Sequence, residues 1–316
     1  MPSDTGGITD IGEINGALHL IGGSAIYRVQ LADEIDPHRT NAAIPNTHQK
    51  VLSYGTEHLF VRQTLVTARR LFNNKVLDPV FDYKTGINLS FESLLDMAAM
   101  YDIIEKMRDK LTQISEEMEN IAVEQRSMKI PSIRDVRSEA KAFLQKSDHV
   151  TITLFNIAKL FYGDTIGPHW FESLHRLICA KCKKDAPFTK FLETALPFLE
   201  LIRNARNAME HPDKTKSIKV TDILLLPSGE LKPPSIEIIH PKTPLSSMSL
   251  LVLMEQIANQ LATVFETMLV HLCDANTQLF TNMPIVVIEY NENQQKAFKC
   301  RYGYASRLGN MLVPFG

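Results

Sequence analysis

The sequence predicts a mostly α fold: a helical bundle built on a long antiparallel helical hairpin, with small β-hairpin additions. Two observations carry the helices and a third the strands. Met97, Met100, Ile104, Met107, Leu111, Ile114, Met118 and Ile121 recur at alternating steps of three and four, the spacing of an apolar seam along one helix face. Ile133, Val136, Ala140, Phe143, Ser147, Val150, Leu154, Ile157 and Phe161 repeat that alternation, with only Ser147 polar. Further on, Ile218, Val220, Leu224 and Leu226 keep even spacing, which marks extended chain.

Composition bounds the class. A chain of 316 residues holds one large domain or two smaller ones. Apolar residues at 44% and charged residues at 22% are ordinary for a globular protein and argue against global disorder. A formal charge of -2 argues against a general nucleic-acid coat, so any RNA contact needs a local basic patch. No apolar run approaches the roughly 18 residues of a membrane span. The start Met-Pro-Ser-Asp-Thr-Gly-Gly lacks the basic and apolar regions of a signal peptide. Four cysteines make no disulfide framework. These features together lead to the expectation of a soluble cytoplasmic protein with no membrane partner.

Taken in order, residues 1–56 read as an irregular N-terminal region. Gly22-Gly23-Ser24 would open a short helix through Ala25–Val29, and Pro37 and Pro45 would bound a polar loop. From Thr56 a helix follows, marked by Val61, Leu65, Ala68 and Phe72, with Arg69 and Arg70 in its last turn, where cations suit the helix dipole. Residues 57–163 form the hairpin region. Met128–Pro131 is a short break, Ser132 stands as an N-cap with Asp135 three residues on, and Gly163 falls where a C′ glycine belongs. Two seams joined by so short a break must fold back antiparallel. At 1.5 Å rise per residue each helix would be on the order of 40 Å long. The methionines read as core packing.

Residues 164–278 read as a helical core. Trp170–Lys183 is one helix. Phe188–Met209 is another, which Pro197 should kink or restart. A β-hairpin is inserted at 217–240, turning at Pro227-Ser228-Gly229-Glu230 and returning through Ile236 and Ile238, and a strong helix runs from Ser246 to Leu272. The tail, 279–316, reads as β-rich: Ile285–Ile288, a polar turn at Asn291-Glu292-Asn293, and a strand through Phe298, Cys300 and Tyr302.

The chemistry concentrates in Arg203 to Lys219. Arg203, Asn207 and His211 are spaced i, i+4, i+8 and share one helix face, with Arg206 on the neighbouring one. Pro212 disfavours α geometry at His211, so the helix should end there and set the imidazole at the negative end of the dipole, which favours its protonated form. The stretch carries Arg203, Arg206, Lys214, Lys216 and Lys219 against Glu210 and Asp213, a local basic patch. Attack of an RNA 2′-hydroxyl on the adjacent phosphate needs a group that titrates near neutrality and a many-donor cation for the charge on the phosphoryl oxygens. A histidine and an arginine supply both, and no metal or cofactor is required.

Arg206, Asn207 and His211, with four residues between the arginine and the histidine, resemble the R-N-x-x-x-H signature of the HEPN superfamily of ribonucleases. The match covers about six residues strongly and residues 168–272 loosely. The resemblance implies a helical-bundle core and a metal-independent endoribonuclease, often a toxin or antiviral factor. Its site would form when two copies of the motif face each other in a homodimer, and an antitoxin-like protein could be a further partner. By that likeness Arg206 and His211 would be the essential pair and Asn207 would orient them; in the basic patch, Arg203, Lys214 and Lys216 would hold the RNA backbone. The inserted β-hairpin, the long helical hairpin and the N-terminal region depart from a minimal HEPN core. The rival expectation is a non-catalytic interaction protein, or a nucleotide- or RNA-binding one, on the same frame.

His175, Cys179 and Cys182 share a helix face at i, i+4, i+7, but a structural zinc site needs four ligands and no second cysteine pair exists, so they read as buried or half-buried thiols. No phosphate-binding glycine loop, G-x-G-x-x-G, G-x-S-x-G or H-E-x-x-H is present.

Overall fold

From Ile8 onward the chain forms strands, where an irregular region was expected for residues 1–56. The computed structural model describes residues 7–119, 129–167, 169–182, 185–278, 283–308 and 311–315. Strands β1 (Ile8–Ile14), β2 (Ala17–Gly22), β3 (Ile26–Gln30) and β4 (Thr47–Leu52) form an antiparallel meander in that order. Asn15 and Gly16, both at positive φ, make the two-residue turn between β1 and β2, a geometry that Asn-Gly favours. Residues 26–29, expected in a short helix, lie in β3, where Ile26 and Tyr27 are buried. The single turn α1 (Ala32–Ile35) precedes β4.

The helix expected from Thr56 is present in three pieces: α2 (Leu59–Val61), a π-helical turn (Arg62–Val66) and α3 (Thr67–Leu71). Next come the long helices α4 (Tyr83–Glu119) and α5 (Val136–Tyr162), then a 3-10 turn (Gly163–Ile166). Helix α6 (Trp170–Lys181) is followed by α7 (Pro187–Glu210). Pro197 lies inside α7, whose helix is continuous where a restart was allowed for. Strands β5 (Ser217–Thr221), β8 (Ser235–Ile239) and β9 (Leu245–Ser249) form one sheet, and β6 (Leu224–Leu225) and β7 (Leu231–Lys232) another. The strong helix is α8 (Leu250–Asp274); its expected first turn, from Ser246, belongs to β9. In the tail, β10 (Ile285–Glu289), β11 (Tyr302–Leu308) and β12 (Met311–Phe315) form a sheet. Phe298, expected in a strand, ends the short helix α9 (Glu292–Phe298), which Asn291 caps by accepting from Gln294 N–H.

The result is about 52% helix and 22% strand, with four separate small sheets among the described residues. The chain is therefore an α+β mixture, and the expected mostly α bundle is incorrect. Helical seams are conspicuous because they repeat over many turns. Short strands of two to seven residues leave a weaker trace, because so few alternations do not stand out from irregular chain. No helix among the described residues is long and apolar enough to cross a membrane.

Both seams are buried over most of their described length, and Leu111, Ile114 and Phe161 are half-buried. On α4, Met97, Met100, Ile104 and Met107 are at most 2% exposed; on α5, Ala140, Phe143, Ser147, Val150, Leu154 and Ile157 are at most 1%. Ile121 lies outside the described residues. Lys106 pairs with Glu139, and Ser147 Oγ approaches Met100 Sδ at 3.7 Å. A later residue of α4 thus meets an earlier one of α5, so the helices run antiparallel, as the seams require. Ser147, the polar member, satisfies its hydroxyl by donating to the Phe143 carbonyl at 2.8 Å. Ser132 is not the N-cap of α5. The helix starts at Val136, after Asp135 at positive φ, and the Ile133 N–H donates to the Asp222 carboxylate.

The chain divides into two compact units: Met1–Ala98 with Thr153–Trp170 and Ala262–Gly316, and Ala99–Ile152 with Phe171–Leu261. In the first, Arg69 of α3 pairs with Asp10 and donates to the Ile11 carbonyl at 3.1 Å, and Tyr304 donates to the Leu71 carbonyl at 2.6 Å. These contacts fix β1 and β11 to the same short helix. In the second, α8 meets α4 through Arg108–Glu255 at 2.7 Å and Tyr101–Asn259 at 2.8 Å.

Truncation within the seam should separate burial from polarity. Phe143→Ala is expected to cost about 3–5 kcal/mol of unfolding free energy through lost burial and a residual cavity. Ser147→Ala, which removes a local hydroxyl bond, should cost less than about 1 kcal/mol. Urea unfolding of both variants checks the contrast.

Candidate functional site

The site belongs to the second unit and is built on the end of α7. Ile202, Ala205, Ala208 and Met209 are buried and fix the helix face, which leaves Arg203 exposed and Arg206 and Asn207 half-buried. The helix stops at Glu210. His211 is its C-cap residue, at φ -129 and ψ 62, and its N–H donates to the Asn207 carbonyl at 2.8 Å. Pro212 follows, so the helix ends where the sequence placed its end. The His211 side chain is exposed.

The next turn is set by Asp213. One carboxylate oxygen accepts from the N–H groups of Thr215 and Lys216 and from the Thr215 hydroxyl, at 2.7, 3.0 and 2.7 Å. The Thr215 hydroxyl foremost, with these N–H groups and the nearby Lys216, holds the Asp213 carboxyl below its usual range. The turn projects Lys214 into solvent and feeds the chain into β5.

Side chains from α5, which sequence reasoning did not single out, meet this helix end. Arg206 Nε lies 3.6 Å from the Asp148 carboxylate, whose side chain is only 7% exposed. Arg206 Nη1 also donates to the Asn207 side-chain oxygen at 3.2 Å. Burial raises the Asp148 carboxyl, and the charges of Arg206, Arg203 and His149 oppose the rise. One turn earlier on α5 Gln145 donates to Glu210, and Lys141, a further turn back, stands 3.6 Å from it. The Gln145 hydrogen bond, helped by Lys141 and Arg206, lowers the Glu210 carboxyl. Residues 141, 145 and 148 thus face 210 and 206 in reverse order, which runs α7 antiparallel to α5. The only sequence trace of this contact is a carboxylate at Asp148 directly beside the seam residue Ser147.

The structure brings Arg206 and Asn207 into direct contact and places His211 at the same helix end. Among the described residues no side-chain hydrogen bond or ion pair joins His211 to either. The basic patch is less uniform than its sequence. Lys216 lies 3.9 Å from Asp213, Lys219 lies 3.7 Å from Glu237, and Arg206 faces Asp148. Lys214 has no ionic partner among the described residues, and Arg203 is exposed beside the charge of Asp148.

The His175 cluster makes no metal site: among the described residues no group of three or more such side chains could hold an ion. Cys179 Sγ lies 3.3 Å from His175 Nε2, which is 3.7 Å from a Glu193 oxygen. Cys273 belongs to the other unit, where burial pushes its thiol up.

Asp148 should leave a pH signature. Its folded carboxyl titrates above its unfolded one, so the folded state binds more protons between the two values and its contribution to stability falls as pH rises through that window. Asp148→Asn removes the titration. Relative to wild type, the variant should therefore be more favoured at pH 7 than at pH 4, as measured by urea unfolding at both. Comparison with protein-family models, with characterised proteins and with solved structures finds no match to this chain.

Proposed function

We propose that the helix end at Arg206–His211 is the active site of a metal-independent endoribonuclease of HEPN type, a toxin-like or defence factor that works as a homodimer. The observation that carries the reading is the exposed His211 imidazole one residue beyond α7, next to an Arg206–Asn207 pair held in place from α5. An accessible imidazole can exchange protons with a substrate, whereas one buried against helix carbonyls cannot.

In the proposed reaction the RNA 2′-oxygen bonds to the adjacent phosphorus and the bond to the 5′-oxygen breaks. A 2′,3′-cyclic phosphate and a 5′-hydroxyl result. The 2′-hydroxyl proton is taken up by a base and the leaving oxygen gains one, with His211 serving one of these transfers. Arg206 stabilises charge on the phosphoryl oxygens, Asn207 orients Arg206, and exposed Arg203 and Lys214, with Lys216, hold the backbone. Two copies of the motif facing each other would supply the second proton-transfer group.

One observation favours a second reading. Arg206 is already engaged by the buried Asp148 and by Asn207, as it would be in a binding protein that uses the motif for structure. Cleavage of a mixed RNA pool in EDTA separates the two. Wild type should cleave, and His211→Ala, with folding checked, should be slower by about 100-fold or more. Equal cleavage by the variant would remove His211 from the chemistry. RNA binding without cleavage by wild type would favour the binding protein.

A further inference from the structure

The first unit holds a cavity that the ribonuclease reading does not use. It measures about 210 Å³ and is lined by Leu59, Arg62, Gln63, Glu266, Gln295, Lys299, Cys300 and Arg301. Its floor is the π-helical turn Arg62–Val66. A π turn inserts an extra residue into an α-helix, re-aims the side chains it carries, and is frequent at functional sites. Here it presents Arg62 and Gln63 to the cavity.

The charges lining this space are unbalanced. Arg62 Nε is buried and has no hydrogen-bond partner, and neither Arg62 nor Lys299 has an acidic partner among the described residues. A buried donor without an acceptor costs about 1–3 kcal/mol, so an anion that satisfies it is favoured. Arg301 adds a third cation, held by Glu289 at 2.8 Å. Lys299 adopts a left-handed conformation, φ 51, at the end of α9.

The one carboxylate in the lining narrows the chemistry. Glu266 is 2% exposed. Its oxygens accept from Gln63 Nε2 at 3.5 Å and from Thr67 Oγ1 at 3.3 Å, long contacts that leave acceptor capacity on both oxygens. Burial raises this carboxyl, while the Arg301 charge and the Gln63 and Thr67 bonds oppose the rise. In its ionised form Glu266 would repel an anion with no proton. Phosphate near neutral pH keeps a hydroxyl that can donate to it, and sulfate does not.

We infer that this cavity binds a phosphate group that retains one proton, its charged oxygens on Arg62, Lys299 and Arg301 and its hydroxyl on Glu266. The group comes as the free anion or as a small monoester. Glu266 then sets selectivity for phosphate over sulfate.

The test uses the full chain, with calorimetric titration and thermal unfolding at constant ionic strength. Inorganic phosphate should bind and raise the midpoint, and sulfate should bind at least about tenfold more weakly. Arg62→Met should weaken phosphate about tenfold or more. Lys299→Gly should weaken it too without lowering the midpoint in the absence of anion, because glycine relieves the positive φ. Glu266→Gln offers a donor in place of an acceptor and should narrow the preference over sulfate. Glycerol phosphate in place of inorganic phosphate distinguishes the sources: tighter binding identifies a monoester and weaker binding the free anion. Equal binding of phosphate and sulfate by wild type, a phosphate response no larger than that of chloride, or undiminished binding by both cation variants would overturn the assignment.

Discussion

The antiparallel contact between α4 and α5 is the constraint from which the second unit is assembled. Its faces are almost wholly apolar, and residues of both helices are buried to within a few per cent of complete. Once Met100 faces Ser147 and Lys106 faces Glu139, the orientation of the remaining α5 side chains is set. Gln145, Lys141 and Asp148 then fall on the side of α5 that α7 covers, while α4 offers Tyr101 and Arg108 to α8. An apolar seam thus decides where four helices of the unit place their polar groups.

That placement explains the electrostatics at the end of α7. A buried carboxylate is costly unless cations face it. Asp148 has Arg206 within 3.6 Å and the charge of Arg203 beside it. The same pairing fixes the Arg206 guanidinium, and Asn207 holds it from the other side. A preorganised arginine is what stabilisation of a phosphoryl transition state requires, and it is also what a purely structural ion pair looks like. The exposed His211 carries no such ambiguity of burial, so the group proposed for proton transfer is the informative one at this site.

The first unit solves a different problem. Its strands are short and its sheets small, and α2, the π turn and α3 serve as the common post to which they attach. Gly303 shows how close the packing is. A Cβ there would lie 1.8 Å from the Tyr290 hydroxyl, whose oxygen accepts from Arg70. Close packing around a widened helical turn leaves charged side chains such as Arg62 and Glu266 lining a small space instead of solvent.

By itself, the sequence determined the features whose cause is local. The two seams, the antiparallel return and the end of α7 before Pro212 all follow from periodicity and backbone sterics within a few turns. Asn15-Gly16 between alternating apolar residues is a further local signal that marks the β1–β2 hairpin, so part of the N-terminal sheet is legible in the sequence as well. The tertiary structure alone decided the rest. The partnership of Asp148 with Arg206 joins residues 58 positions apart, and that of Gln63 with Glu266 joins residues 203 apart. Neither leaves a periodic trace, because a single polar contact depends on where two elements meet and not on any repeat within either. For the same reason the strands, whose hydrogen bonds are made to other segments, turned an expected helical bundle into an α+β fold.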